Sequence, residues 1–180
     1  MSALRAAVLT ISTSKAAGEG EDESGPRLET LARAIGASTV ERDLMDDDRG
    51  LIERRLRHWC DDERCALVLT SGGTGVSPDD VTPEATRAVI EREIPGIAEA
   101  MRLASQPHTP HWMLSRATAG MRAATLIVNL PGSPRAIAQV GEALAPSLTH
   151  ALALIAGASS DHDAADRGAA ERNAADLRGR

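Results

Sequence analysis

Five acidic side chains and one glycine-rich run carry most of the chemistry in this sequence. The run Ser71-Gly72-Gly73-Thr74-Gly75 places two adjacent glycines before a third two residues on. Glycines so spaced let the backbone approach a ligand without interference from Cβ, and leave amides free to bind oxyanions. Ser71, Thr74 and Ser77 add hydroxyl donors. A Walker loop would need a lysine after the last glycine, but the chain has a single lysine, Lys15, in a different loop. Phosphate binding therefore falls to amides, hydroxyls, arginines and a metal. Asp79 and Asp80 follow the glycines directly. An acid beside a phosphate repels it unless a cation lies between, and Mg²⁺ favours carboxylate together with phosphate oxygens. Asp47, within Asp46-Asp47-Asp48, is placed to face that cation from the end of another strand. The alternative for these acids is helix capping and a solvated rim.

Other reactive residues offer less. His108 and His111 form an H-x-x-H in a proline-rich loop with no further zinc ligands well placed, and read as a solvated pair. His58, beside Trp59 and Cys60, reads as packing. Cys60 and Cys65 stand four residues apart rather than two, which suits reduced structural thiols. Neither a G-x-S-x-G elbow nor a Cys/His nucleophile arrangement is present.

These groups need a scaffold, and the hydrophobic pattern supplies one. Apolar runs of strand length at Leu4 to Ile11, Ala66 to Thr70 and Thr125 to Asn129, with a further strand expected at Ser38 to Leu44, alternate with helical patterns. Ala66 to Thr70 is continuously apolar before its last residue and reads as a parallel strand buried on both faces. A first helix begins near Pro26 and stops at Gly36. The three acids Asp46 to Asp48 open a second, and Thr82-Pro83-Glu84 caps a third that ends before Pro95. A further helix spans Ile97 to Ala104, and a last one starts with Ser133 as its cap and Pro134 at its first position, kinked or divided at Pro146. Strand-helix alternation of this kind argues for an α/β fold with helices on both faces of a parallel sheet. In such sheets ligands bind beyond the carboxyl ends of the strands. Ser12-Thr13-Ser14, Asp46 to Asp48, Ser71 to Asp80 and Asn129 to Ser133 all fall at such ends.

The chain has 180 residues, 42% hydrophobic and 26% charged, which fits one globular domain over 1–157. Residues 158–180 turn to Ala, Asp, Arg and Gly without an apolar stripe and read as a disordered tail. A net charge of −6 disfavours nucleic acid and anionic membranes. Trp59 and Trp112 are the only aromatics, so bases lack stacking platforms. No apolar run reaches membrane-spanning length and no signal-peptide pattern opens the chain, so a cytoplasmic location is expected.

Thr70-Ser71-Gly72-Gly73-Thr74-Gly75, followed by Ser77-Pro78-Asp79-Asp80-Val81-Thr82-Pro83-Glu84-Ala85, resembles the first signature of the MoaB/Mog family of molybdenum-cofactor biosynthesis. Asn129-Leu130-Pro131-Gly132-Ser133-Pro134 resembles the second. Leu114-Ser115-Arg116 and the loop with Gly18, Asp22, Ser24 and Gly25 also look like family elements. The resemblance spans residues 4 to 157. It implies a three-layer α/β/α sandwich with a mostly parallel, molybdopterin-binding-domain-like sheet, assembled as a homotrimer or a hexamer. It implies an enzyme that transfers AMP from ATP to the terminal phosphate of molybdopterin with Mg²⁺, releasing pyrophosphate. Other proteins of the pathway are implied as partners. The two acids the family needs map to Asp47 and Asp80, as catalytic and metal-holding groups. Ser12, Thr13, Ser71, Gly72, Gly73, Thr74, Gly75, Ser77 and Ser115 would contact pterin or phosphates, with Asn129, Pro131, Gly132 and Ser133 flanking the site.

Two positions depart from the family. Thr13 stands where an Asp is common, and Asp46 where a Pro precedes the essential acid, so Asp46 and Asp48 stay open as alternatives to Asp47. A non-catalytic molybdopterin carrier is the rival reading. A nucleotide pyrophosphatase is a weaker one, because related pyrophosphatases carry Gly-Gly-Leu-Gly where this chain has Gly72-Gly73-Thr74-Gly75.

Overall fold

The computed structural model describes residues 4–158. In chain order the elements are β1 (Leu4–Ile11), α1 (Thr13–Ala16), α2 (Ser24–Ala34), β2 (Ala37–Met45), α3 (Arg49–Arg57), β3 (Leu67–Ser71), α4 (Thr82–Arg87), β4 (Arg92–Glu93), α5 (Pro95–Ser105), β5 (Ala119–Arg122), β6 (Thr125–Leu130) and α6 (Pro134–Ile155). A wide π-type turn over His58–Asp62 extends α3. The expected tail falls, apart from Ala158, outside the described residues.

Six strands form one sheet in the order β2-β1-β3-β6-β5-β4. The four strands anticipated from the sequence pair in parallel, while β5 and β4 add an antiparallel edge. That edge was not expected. Ala119-Gly120-Met121-Arg122 has no β-branched residue, and β4 is only two residues long.

The buried strands divide the core by the period-two rule. Ala6, Val8, Leu67, Leu69, Leu126 and Val128 face α2, α5 and α6, joined by Leu28, Met101, Ile137, Leu144 and Leu148. Ala7, Leu9, Val68 and Ile127 face the other way, onto Ile52, Leu56, Trp59 and Ala85 from α3, the wide turn and α4. Two apolar layers thus flank the sheet and make the three-layer sandwich. Burying each Leu or Ile side chain contributes about 1.5–3 kcal/mol.

Several boundaries differ from the sequence pattern for local reasons. The long loop after β1 contains the short α1, and α2 begins at Ser24 because Asp22 Oδ1 accepts from the amides of Ser24 and Gly25 at 3.1 and 2.9 Å. Of the three acids expected to open α3, only Asp48 does so, accepting from the Leu51 amide at 2.7 Å. Thr82 does not cap α4; Val81 holds the cap position and the Thr82 hydroxyl is buried. Helix α4 stops at Arg87 rather than running to Pro95. Pro146 neither ends nor divides α6. It and Glu142, whose carbonyl loses a donor, lie on the exposed face where water substitutes. His58 is not packed in the core: its side chain is 40% exposed.

Candidate functional site

The parallel strands reverse their order of addition between β1 and β3. The chain adds β2 on one side of β1 and places β3 on the other. The crevice beyond the carboxyl ends of β1 and β3 is therefore the switch point where such folds bind ligands. Gly72 and Gly73 sit in that crevice. Gly72 has φ +103°, and a Cβ there would lie 2.0 Å from the Ile11 carbonyl oxygen at the end of β1. Gly132, in the loop after β6, packs against it: a Cβ there would be in van der Waals contact with Gly72 Cα, at 3.4 Å. The end of β1 and the loops after β3 and β6 thus meet here, and the approach to Ile11 is one that only a glycine at position 72 permits.

The acids after β2 complete the group. Thr13 donates its amide to Asp47 Oδ2 at 3.0 Å and its hydroxyl to the same oxygen at 2.9 Å. The hydroxyl also lies 2.6 Å from Asp46 Oδ1, which accepts the Asp47 amide at 2.7 Å. The other Asp47 oxygen, Oδ1, faces Gly73, where an added Cβ would meet it at 2.8 Å. Thr13 thus fastens the β2 acids to the end of β1. Asp48 is used up as a helix cap, so Asp47 is the member of the acidic run that reaches the glycine loop.

Asp80 takes the other end of that loop. Its Oδ2 accepts the Ser77 amide at 2.8 Å and lies 2.9 Å from where a Gly75 Cβ would be. Asp47 at Gly73 and Asp80 at Gly75 hence bracket Thr74. Arg116 holds the segment in shape. Its amide donates to Thr74 O at 2.9 Å, and its guanidinium donates to Gly75 O, Asp80 O and Glu84 Oε1, each at 2.5 Å. Burial pushes the Glu84 carboxyl up, but Arg116 and its neighbours outweigh this and hold it below the usual range.

The remaining expected residues fall into two groups. Ser115, Thr74, Gly75 and Pro131 line a hollow of about 300 Å³ together with Trp112 and Ala136. Gly132 O accepts from Ser24 Oγ at 3.0 Å, which ties the loop after β6 to α2, and Ser133 stands exposed at the start of α6 without a side-chain capping bond. Ser12, partly exposed, begins α1, with its amide on Met45 O at 2.9 Å. By contrast Ser71 and Asn129 are fully buried. Ser71 donates to Pro131 O at 2.9 Å, and Asn129 Nδ2 donates to Thr70 and Thr86 at 3.0 and 2.9 Å. Ser71 thus positions the loop after β6, and Asn129 ties β6 to β3 and α4; neither side chain is exposed to a ligand. His111 also borders the hollow, whereas Cys60 and Cys65 are buried free thiols pushed up to about 11 by burial.

Sequence reasoning quoted Arg116 but gave it no role; its position directly after Ser115 was the available signal. Trp112 was missed as a wall of the hollow, and Thr82 as a neighbour of Gly73. The Thr82 hydroxyl is buried, finds no hydrogen-bond partner among the described residues, and would lie 2.3 Å from a Gly73 Cβ. The donor set suits a hard cation. It consists of carboxylate oxygens with an unclaimed lone pair at Asp47 Oδ1 and Asp80, in a loop rich in amides and lacking lysine. Among the described residues no helix is long and apolar enough to cross a membrane.

The chain is similar in sequence and in fold to known proteins. Residues 7–150 match the model of a family described as "Probable molybdopterin binding domain". A molybdopterin adenylyltransferase of Helicobacter pylori is 38% identical over 159 residues, covering 87% of this chain and 90% of that protein. The Escherichia coli molybdopterin adenylyltransferase is 40% identical over 144 residues, covering 79% and 74%. Among solved structures, the molybdopterin biosynthesis enzyme MoaB of Thermus thermophilus superposes with a TM-score of 0.80 at 42% identity, covering 86% of this chain and 97% of that one.

Proposed function

This chain belongs to the molybdopterin-binding-domain family of molybdenum-cofactor biosynthesis proteins, and from that premise we propose that it is a molybdopterin adenylyltransferase using ATP and Mg²⁺. The observation that carries the reading is the bracketing of one glycine loop by Asp47 and Asp80 at the switch point of the sheet. The terminal phosphate of molybdopterin attacks the α-phosphorus of ATP, a P–O bond forms, and pyrophosphate leaves with the electron pair of the broken one. Phosphate attacking phosphate calls for charge neutralisation and in-line placement rather than a strong base.

The residues divide that work. The free amides of Gly73 to Gly75 and the hydroxyls of Thr74 and Ser77 donate hydrogen bonds to phosphate oxygens. Arg116 keeps the loop open by holding its carbonyls. Asp47 and Asp80 would hold Mg²⁺, which would neutralise the phosphate charge that the two acids otherwise repel. Trp112, Ser115 and Pro131 offer the hollow, partly apolar wall that a flat pterin needs. Assembly as a homotrimer or hexamer, work beside other proteins of the pathway, and a cytoplasmic location accompany the reading on the strength of the resemblance.

Thr13 favours one second reading. Two donors from this residue occupy Asp47 Oδ2, where the family commonly places another acid. A protein weakened there would bind molybdopterin without turning it over, as a carrier. Pyrophosphate release separates the two. An enzyme releases pyrophosphate from ATP only when molybdopterin is present, whereas a carrier binds the pterin and consumes no ATP. Release from ATP alone would instead point to a nucleotide pyrophosphatase.

A further inference from the structure

A second constellation lies on the flank of the sheet and takes no part in the site above. Glu41 stands on edge strand β2, four residues before the strand end at Met45, which places it about 13 Å from the ligand edge. Against it sits the wide turn that follows α3. One ligand atom each from Glu41, His58 and Glu63 lies within 4.8 Å of the other two, and all three residues are half-buried.

The turn explains why these atoms meet. In a π-type turn the amide of residue i+5 bonds the carbonyl of i, as the Glu63 amide does to His58 O at 3.0 Å. Residues i+4 and i+5 then flank residue i on either side. Asp62 accordingly takes His58 Nδ1 at 2.8 Å, and Glu63 Oε1 faces Nε2 at 4.0 Å. A carboxylate on Nδ1 fixes the proton there and turns the Nε2 lone pair outward, which is how metal-bound imidazoles are oriented. Each glutamate is braced in a comparable way. Trp59 Nε1 donates to Glu41 Oε2 at 2.5 Å, and Arg5 pairs with Glu63 Oε2. Those bonds leave Glu63 Oε1 on the His58 side. Arg5, and Arg55 at 3.9 Å from Glu41 Oε2, offset the negative charge of the acids.

We propose that Glu41, His58 and Glu63 form a site for a first-row divalent transition metal, Zn²⁺ foremost, completed by water. One imidazole nitrogen with two carboxylate oxygens suits Zn²⁺ or Co²⁺ better than Mg²⁺, which prefers oxygen alone, or Cu⁺, which prefers sulfur. A tetrahedral centre with ligands at roughly 2.1 Å spaces its donors about 3.4 Å apart. The side chains therefore need to draw in by no more than about 1.4 Å from the observed limit of 4.8 Å. The bound ion clips β2 to the turn and leaves the chemistry at the glycine loop untouched.

The test is titration of the full chain with Zn²⁺ alone, without ATP or pterin, and with Co²⁺ followed by its visible ligand-field absorption. One equivalent is expected to bind, with an affinity that falls by about tenfold or more in Asp62→Asn, which disturbs only the orientation of His58. His58→Ala is expected to abolish that binding and the tetrahedral Co²⁺ bands while its circular dichroism stays that of the parent. The Asp47→Asn/Asp80→Asn double variant is expected to keep the equivalent. Unchanged Zn²⁺ affinity in His58→Ala, or loss of the equivalent in the double variant, would overturn the assignment.

Discussion

Replacing Gly73 with alanine probes the positioning of Asp47 more sharply than removing the acid. The new methyl would start 2.3 Å from Thr82 Oγ1 and 2.8 Å from Asp47 Oδ1. Carbon and oxygen in contact need roughly 3.3 Å or more, so the two side chains must retreat by about 1.0 and 0.5 Å. Gly73 also has φ +59°, where an alanine costs about 1–2 kcal/mol. Overpacking adds about 1–3 kcal/mol. A total loss of about 2–5 kcal/mol is expected by chemical denaturation. Turnover should fall further than stability requires, because a displacement of this size at a reacting centre is worth up to about a hundredfold in rate. The two effects separate in Gly73→Ala/Thr82→Ala. Removing the Thr82 side chain relieves the closer contact and deletes a buried hydroxyl that has no partner among the described residues. The double variant should regain part of the stability but little of the rate, since the methyl still crowds Asp47. Rates near the parent's in a folded Gly73→Ala protein would refute the placement of Asp47 as a working group.

Three further outcomes follow from single contacts. Asp48→Ala should lower stability by about 1 kcal/mol, the value of an N-cap, with pyrophosphate release unchanged, whereas Asp47→Asn should remove release with stability nearly kept. Cys60 and Cys65, their thiols pushed up to about 11 by burial, should resist a thiol reagent at pH 8 in the native protein and react in guanidinium; quick native labelling would contradict their packing. The Asp61 carboxyl is held below its usual range chiefly by its hydrogen bonds from Arg122, at 2.9 and 2.7 Å. A depressed folded pKa gives stability that is present above the unfolded value near 3.9 and is lost as pH falls through the folded one. Arg122→Gln should therefore flatten the acid limb of the stability profile below about pH 4, and an unaltered limb would remove Asp61 from the account.

The parallel strands and the ligand edge were legible because their signals are local. Three apolar runs and the more polar strand Ser38 to Leu44 ended in polar or glycine-rich segments, and all four ends meet at one edge of the sheet. What escaped the sequence depends on tertiary pairing. Ala119 to Arg122 has no strand signature of its own and becomes β5 only by pairing with β6. Thr82 precedes Pro83 as a helix cap would, yet it lies under Gly73, so the cap rule yielded to burial. The run Asp46 to Asp48 is uniform as sequence. Helix capping and the reach of Thr13 across from β1 are what give its members different tasks. Arg116 shows the same limit, since its hold on Gly75, Asp80 and Glu84 spans more than thirty residues of chain.

The central claim is tested most directly by mass spectrometry of molybdopterin incubated with the purified protein, ATP and Mg²⁺. The expected product is molybdopterin carrying one added AMP, formed only with Mg²⁺ and missing when folded Asp80→Asn replaces the parent chain. Molybdopterin recovered unmodified from a protein that demonstrably binds it would contradict the claim and leave a carrier, with Thr13→Asp as the substitution to restore transfer.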